Sequence, residues 1–458
     1  MRAQVIDFSL SELEKESGGT LIGQDLTVGE VSTDSRPEHV PGLFVALPGA
    51  RYDSTVFAAD AVKKGAVAVL TPKPLYLDVP QIIMEDTLRG YAAAGGLVRE
   101  KSHAKVLGIT GTCGKTSVKE MCSLIMSPLG NTIATEGNFN NSVGVPKTLL
   151  RLTRATRYAI VEHGASHFHD IDATAAWSKP DVAVINNAGE AHLEGFGSVD
   201  GVAAGKAEIY HHLKKGGIAV INMESPFASL WRHESEGHDI IGFGLSEKCD
   251  VRAADVSFDD LGCGSFTLIT PDGTAKVELH VPGRHNIMNS LAAAASCLAL
   301  GAKPLDIAAG LGSMKPIAGR LSVERHGPVT LIDDAYNASA DAVRAAVATL
   351  AGFRGDRMLI LGDMGELGEH EEEIHRSVGR LVGESGIEHF LTVGKLAALS
   401  AKEGHGEAFP DKDALYGRIR DYLRESREKG LSPVVLVKGS HGMKMNEVLD
   451  FIRHELED

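Results

Sequence analysis

Apolar residues in this chain fall in short unbroken runs, separated by longer stretches where they recur every three or four positions. The runs read as strands buried on both faces and the intervening stretches as helices. In the first hundred residues, strands are predicted at 42–47 and 66–70, with one helical stretch, 56–64, between them. The polar segment 99–103, Arg-Glu-Lys-Ser-His, reads as a boundary. Beyond it the alternation becomes regular. An apolar run opens at Lys105 and breaks into a glycine turn, and further runs follow at 158–162, 181–187 and 217–222. Helical stretches at 117–126 and 199–213 lie between them. Residues 266–282 look instead like an antiparallel pair turned at Pro271-Asp272-Gly273. From about Arg320 a second alternating series begins, with strands at 329–333, 357–361, 389–393 and 433–438. Strands alternating with helices predict an α/β chain of mainly parallel sheets, its last region doubly wound. No internal repeat or low-complexity tract interrupts it.

Length divides this pattern further. A chain of 458 residues is too long for one ordinary core, and roughly three domains is the expectation. A hydrophobic share of 43% with 23% charged residues is that of a soluble globular protein. The formal charge of −15 argues against nucleic acid or an acidic membrane surface as the main partner. An anionic substrate must therefore be met by local Lys, Arg, N–H groups or a metal ion. The five cysteines show no Cys-x-x-Cys spacing, which suits a reducing compartment without structural zinc. The first residues lack the apolar core of a signal peptide. The longest apolar stretch, 290–302, is alanine-rich and shorter than the ~18 residues of a spanning helix. A cytoplasmic enzyme without membrane insertion is expected.

The glycine turn carries the strongest chemical signal. Thr110-Gly-Thr-Cys-Gly-Lys-Thr116 follows a strand and opens a helix, the order that holds a nucleotide triphosphate. Gly108, Gly111 and Gly114 let backbone N–H groups, including those of Thr112 and Ser117, turn towards phosphate oxygens. Lys115 can reach the β- and γ-phosphates, the Thr116 hydroxyl can ligate Mg²⁺, and the helix N-terminus favours the anion. Glu162 ends a strand in the same region, where a carboxylate ligand for Mg²⁺ belongs; a solvated strand-end glutamate is the alternative. His192 follows the run 181–187, as either a ligand or a structural histidine. Lys206 lies on a predicted helix, where a surface ion pair is the plainer reading. Asn286 and Asn289, three apart on one helical face, can meet the edge of an adenine base, or Asn286 can cap the helix. Arg320 sits where the last region begins, and an arginine brought from there to the phosphates would neutralise transition-state charge. Asp333 and Asp334 end a strand and point to opposite faces, so at most one meets a given ligand. The acidic run 368–373 reads as a solvated helix start.

These pieces, in this order, resemble the Mur ligases, the ATP-dependent amide-forming enzymes of peptidoglycan synthesis. The phosphate loop is similar to theirs, which lacks the generic first glycine; Ile109 stands at that position here. Gly137-Asn-Phe-Asn-Asn-Ser-Val-Gly-Val-Pro146, Ala191-His-Leu-Glu-Gly-Phe-Gly-Ser198, Asp333-Asp-Ala-Tyr-Asn-Ala338, Leu361-Gly-Asp-Met-Gly-Glu-Leu-Gly368 and Val437-Lys-Gly-Ser440 resemble the branch that adds D-Ala-D-Ala. Asp34-Ser35-Arg36 and residues 42–47 resemble its uridine-nucleotide-binding first domain. The Asp-Asn-Pro-Arg motif of the diaminopimelate-adding relative is absent. Three places depart from the pattern: Cys113 where Asn or Ser is usual, Ser339-Ala340 where Asn-Pro is usual, and His163 with Phe168-His169-Asp170 after Glu162.

The resemblance implies a three-domain architecture: 1–103 binding the UDP-sugar, a P-loop domain 104–318 binding ATP, and 319–458 closing over ATP and receiving the amine. It implies ATP with Mg²⁺ held by Thr116, Glu162 and His192, catalysis by Lys115, His192, Lys206 and Arg320, and a carbamylated Lys206. Asn286, Asn289, Arg320 and Asp334 would join the loop around the nucleotide. Ser35, Arg36, Asn138, Asn140, Asn141, Tyr336 and Asn337 would contact UDP-MurNAc-tripeptide or D-Ala-D-Ala. A monomer is expected. The alternative is another ligase of this fold, such as one resembling folylpolyglutamate synthetase, against which the separate first domain argues. A nucleotide-binding protein that has lost the chemistry is a third reading, and no loss of site residues favours it.

Overall fold

The computed structural model describes residues 5–49 and 53–457. Three main sheets, among the described residues, follow one another along the chain. The first has five strands in the spatial order Thr20–Ile22, Gln81–Ile83, Ala66–Thr71, Gly42–Val45, Val31–Ser32. A two-stranded pair, Phe8–Ser9 with Thr27–Val28, lies beside it. The second sheet has nine strands. Its parallel part runs Thr132–Ala134, Tyr158–Glu162, Lys105–Thr110, Val182–Ile185, Ile218–Asn222, Asp239–Gly244, Val251–Phe258. The antiparallel strands Cys263–Thr270 and Gly273–Pro282 extend it, so the pair predicted at 266–282 is the edge of the main sheet. The third sheet has six strands, all parallel except the first, Ser322–His326.

The central strands are the apolar runs, and burial explains why. Every residue of Val182–Ile185 and of Pro433–Lys438 is buried, as a parallel sheet covered by helices on both faces demands. Two strands of the third sheet escaped prediction. Ser322–His326 and Glu407–Phe409 are edge strands whose polar, partly exposed residues carry no apolar run.

The first region corrects the sequence reading most. It contains two further helices, Leu10–Ser17 and Thr87–Lys101, beside the predicted stretch at 56–64. The former begins at a capping box, in which Ser9 and Glu12 each satisfy the other's backbone N–H. The latter is rich in Ala and Gly and buried nearly all round, so it shows no amphipathic period. The polar segment 99–103 therefore belongs to the end of a helix. Arg99 is buried and donates to the carbonyls of Ser178, Ala104 and Lys179 and to Asp181 Oδ2 at 2.7–3.1 Å. Its hydrophobic neighbours belong to a core shared by both regions, where Phe8, Leu10 and Leu97 pack with Val145, Leu149 and Val161.

Two helices of the second region brace the phosphate loop from below. Lys115–Met126 leaves the loop itself, and Arg284–Ala299 leaves the edge strand. They pack face to face through Val118, Met121, Cys122 and the fully buried run Leu291, Ala292, Ala293, Ala294, Ala295. Alanines let the helix axes approach closely. Parallel strands point the same way, so the carboxyl ends of the second sheet form one edge, at Thr110, Glu162 and Asn186. The third sheet presents its own carboxyl edge, where Asp334 and Lys438 are register partners. A cavity of about 1600 Å³ lies between these edges.

Candidate active site

The phosphate loop is clamped by hydrogen bonds from the protein itself. Cys113 N–H donates to Asn187 Oδ1 at 2.8 Å, and the Cys113 carbonyl accepts from Asn186 Nδ2 and Asn187 Nδ2. Asn186 Nδ2 also donates to Asn289 Oδ1, and Asn289 Nδ2 to Asn286 Oδ1. Gly114 is held at φ +79°, and a Cβ there would lie 2.3 Å from Asn289 Oδ1, so only glycine fits. Asn286 donates to the Pro282 carbonyl, and its helix begins at Arg284 after Gly283, so it is not the cap. Both asparagines line the cavity, with their amides already joined to each other and to the loop. The clamp residues Asn186 and Asn187 were not singled out from sequence; the only local signal is two amides directly after a strand.

Lys115 folds back over the loop, its Nζ donating to the carbonyls of Gly111 at 2.6 Å and Thr112 at 3.3 Å. Burial lowers its pKa, and the nearby Glu162 carboxylate opposes that. Glu162 is itself buried, and its oxygens accept from two neutral partners, Thr116 Oγ1 at 3.2 Å and Asn140 Nδ2 at 2.8 Å. A buried carboxylate with a hydroxyl beside it, opening onto a cavity, is a donor set suited to Mg²⁺. Arg320 Nη2 reaches the same Thr116 hydroxyl, 3.1 Å away, from the third region, while its guanidinium stacks 4.4 Å from the Tyr336 ring.

His192 adopts φ +54°, unusual for a side chain of this size, and lines the cavity. Its Nδ1 lies 2.8 Å from Glu366 Oε2 of the third region, although the ring N–H points off that line. The histidine holds the Glu366 carboxyl below the usual range. Asp334 is paired to Lys438, and burial nevertheless pushes its carboxyl up. Asn337 Oδ1 accepts from Ala338 N, and its carbonyl accepts from Lys438 Nζ. Asn138, Asn141 and Ser117 line the cavity as well, and Asn141 Oδ1 accepts from Gly144 N–H where the short helix Gly144–Leu149 begins.

Three predicted residues lie elsewhere. Lys206 stands behind the cavity wall, 1% exposed, its amine pulled down to about 7 by burial and by the charge of Lys115. The plainer reading of a surface ion pair does not hold for it. Ser35 and Arg36 are outside the cavity: the Ser35 carbonyl accepts from Lys64, and Arg36 forks onto its own neighbour Asp34.

The third region meets the clamped loop through further contacts invisible in sequence. Asp341 Oδ2 accepts from Glu190 N–H at 3.0 Å, and Arg344 bridges Glu190 and Asp341 at 2.7 and 2.9 Å. Cys113 Sγ lies 3.2 Å from Ser339 Oγ. Cys113 of the phosphate loop and Ser339 of the third region thus touch each other across the cavity mouth.

Comparison with known proteins settles the lineage. Residues 109–297 match the Mur ligase middle domain, and residues 319–441 match the glutamate ligase domain of Mur ligases. The UDP-N-acetylmuramoyl-tripeptide–D-alanyl-D-alanine ligase of Escherichia coli K12 is 42% identical, covering 97% of this chain and 98% of its own. The chain belongs to the Mur ligase family. MurF from Acinetobacter baumannii superposes on this Mur ligase with a TM-score of 0.90, at 33% identity over 99% of this chain and 100% of that one. MurF from Thermotoga maritima in complex with ADP does so at 0.81, with 27% identity over 93% and 98%. The α/β architecture with a P-loop centre and a doubly wound last region is that of the family. Matches of this length include the first region, whereas folylpolyglutamate synthase from Mycobacterium tuberculosis, similar in fold with a TM-score of 0.62, covers 79% of this chain.

Proposed function

We propose that this ATP-dependent ligase joins the terminal carboxylate of UDP-MurNAc-tripeptide to the amine of D-Ala-D-Ala, yielding UDP-MurNAc-pentapeptide, ADP and phosphate for peptidoglycan synthesis. Kinship over the whole length supports the pair of substrates. The observation that carries the chemistry is Arg320 meeting Thr116 across the cavity, because it puts a cation from the third region against the phosphate loop.

A carboxylate is inert towards amines, so it must first be activated. Its oxygen attacks the γ-phosphorus of ATP, the bond to the β,γ-bridging oxygen breaks, and ADP leaves with that electron pair. The amine of D-Ala-D-Ala then attacks the acyl phosphate carbonyl, loses a proton, and the tetrahedral intermediate expels phosphate. The loop N–H groups and Lys115 hold the phosphates in line, and Arg320 meets charge gathering on the transferred group. Asn286, Asn289 and Asp334 bound the nucleotide; Asn138, Asn140, Asn141, Tyr336 and Asn337 bound the two acyl-transfer partners. Ser35 and Arg36 serve the distant uridine end. Residues 1–103, 104–318 and 319–458 are the corresponding units for UDP-sugar, ATP and incoming amine. Enclosure between the last two keeps water from the acyl phosphate.

Thr116, Glu162 and His192 would hold Mg²⁺, which, when bound, neutralises phosphate charge and lowers the cost of attack by an anion. Lys206 suits carbamylation. With its amine near pH 7 it is substantially neutral, so nitrogen can add to CO₂ and release a proton, and the resulting anion would attract Lys115 instead of repelling it. A ¹³C-bicarbonate-derived carbamate signal that vanishes in Lys206→Arg is the expected result. A monomeric enzyme of the cytoplasm completes the reading. Among the described residues, no helix is long and apolar enough to cross a membrane.

The deciding measurement is phosphate release from Mg-ATP with each substrate alone and with both. Release that needs both, with a product heavier by one dipeptide, is expected. Release indifferent to either would overturn the assignment.

A further inference from the structure

Glu366 stands out in the third region for what it gives up to reach its partner. It holds φ +61°, a conformation unfavourable for a residue with a Cβ, on the loop after strand Asp356–Gly362. Two residues on, Gly368, also at positive φ, passes so close to Glu194 that a Cβ would lie 3.3 Å from the Glu194 Cα. Met364 and Leu367 flank Glu366 and are buried in one cluster with Leu193 and Phe196. The strained loop is thus pressed onto the segment bearing His192 from both sides, and its carboxylate ends 2.8 Å from His192 Nδ1.

A histidine that ligates a metal through one ring nitrogen needs the other fixed, and a carboxylate on that N–H sets both tautomer and ring orientation. We infer that Glu366 is the positioning residue for His192, supplied by the third region so that the histidine is ligand-ready only while that region is docked. A small turn of the ring brings Nδ1–H in line with Oε2, leaving the lone pair on Nε2. Metal holding and closure then become one event: undocking removes Glu366 and releases the ring. The inference rests on His192 being a metal ligand, so its test separates the two.

The probe is Mn²⁺ binding to the full-length protein with ADP, followed by electron paramagnetic resonance, for wild type, Glu366→Gly, Glu366→Gln and His192→Asn. Glycine suits the backbone at 366, so its melting temperature should stay level or rise, and any loss belongs to the carboxylate. The inference expects Mn²⁺ affinity to fall roughly tenfold or more in Glu366→Gly and less in Glu366→Gln, which keeps an acceptor oxygen. ADP affinity without metal should stay within about twofold of wild type. Ring ¹⁵N shifts of His192 should report a single Nδ1–H tautomer in wild type and a mixture in Glu366→Gly. If His192→Asn weakens Mn²⁺ and Glu366→Gly does not, the positioning role is overturned. If His192→Asn leaves Mn²⁺ affinity unchanged, the ligand assignment itself fails and the inference with it.

Discussion

The first and third regions are attached to the central one in opposite ways. The first shares an apolar core with it and adds a buried arginine whose donors meet three carbonyls and a carboxylate. The third shares a smaller apolar cluster with it and adds single polar reaches: Arg320 to Thr116, Asp341 to Glu190 N–H, Ser339 to Cys113 and Glu366 to His192. Leu193, Phe196 and Val202 are the buried central residues in its main core. A dry, shared core does not open without unfolding, whereas polar contacts around a large cavity exchange readily with water. We expect the first seam to be permanent and the second to be the one through which substrates enter.

The permanent seam should break hardest. Arg99→Ala strands three carbonyls, those of Ser178, Ala104 and Lys179, together with Asp181, and should cost ~3–5 kcal/mol in urea unfolding. A loss below ~1 kcal/mol would mean that the first seam is no firmer than the third. Next comes the central floor. Lys206 carries a folded-state pKa of about 7 against an ordinary value of 10.5. The unfolded chain therefore binds more protons between those values, so stability contributed at this site rises with pH through that window and the buried cation is most costly below it. In CO₂-free buffer, Lys206→Met should stabilise by on the order of 3 kcal/mol near pH 6, the gain fading towards pH 10.5.

Smaller effects probe the opening seam. A Cβ on Gly189 would lie 1.7 Å from Asp341 Oδ2, so Gly189→Ala should push the third region away. We expect kcat to fall roughly tenfold with global stability nearly unchanged, and the Asp341→Ala background to show little further loss. An additive loss would place the damage within the central region. Smallest of all, Cys113→Ser puts a hydroxyl in place of the thiol opposite Ser339, keeps a hydrogen-bonding group there, and should alter kcat/KM by less than about threefold.

Sequence carried the repetitive and local parts of this molecule. The phosphate loop, Glu162 and the buried parallel strands were legible because each depends on neighbours in the chain. What escaped depends on partners far away in sequence. Arg99 reads as part of a polar linker until Ser178 and Asp181 are seen around it. Helix Thr87–Lys101 has no period because both its neighbours are apolar. The clamp by Asn186 and Asn187, and the reach of Glu366 to His192, exist only once strands and regions are assembled. Asp34, Ser35 and Arg36 were recognisable by their order, yet nothing in that order says that they lie outside the cavity.

The alanine run beneath the phosphate loop has a consequence for how binding is driven. Alanine has no side-chain rotamers, so Ala292–Ala295 have no rotational freedom left to surrender when a nucleotide settles above them. Ordering on that side is complete at folding. The entropic penalty of reaching the reactive state therefore falls on the third region and the long side chains it extends, Arg320, Arg344 and Glu366. Calorimetry should find nucleotide binding alone nearly free of that penalty, with the unfavourable entropy appearing when the complex closes.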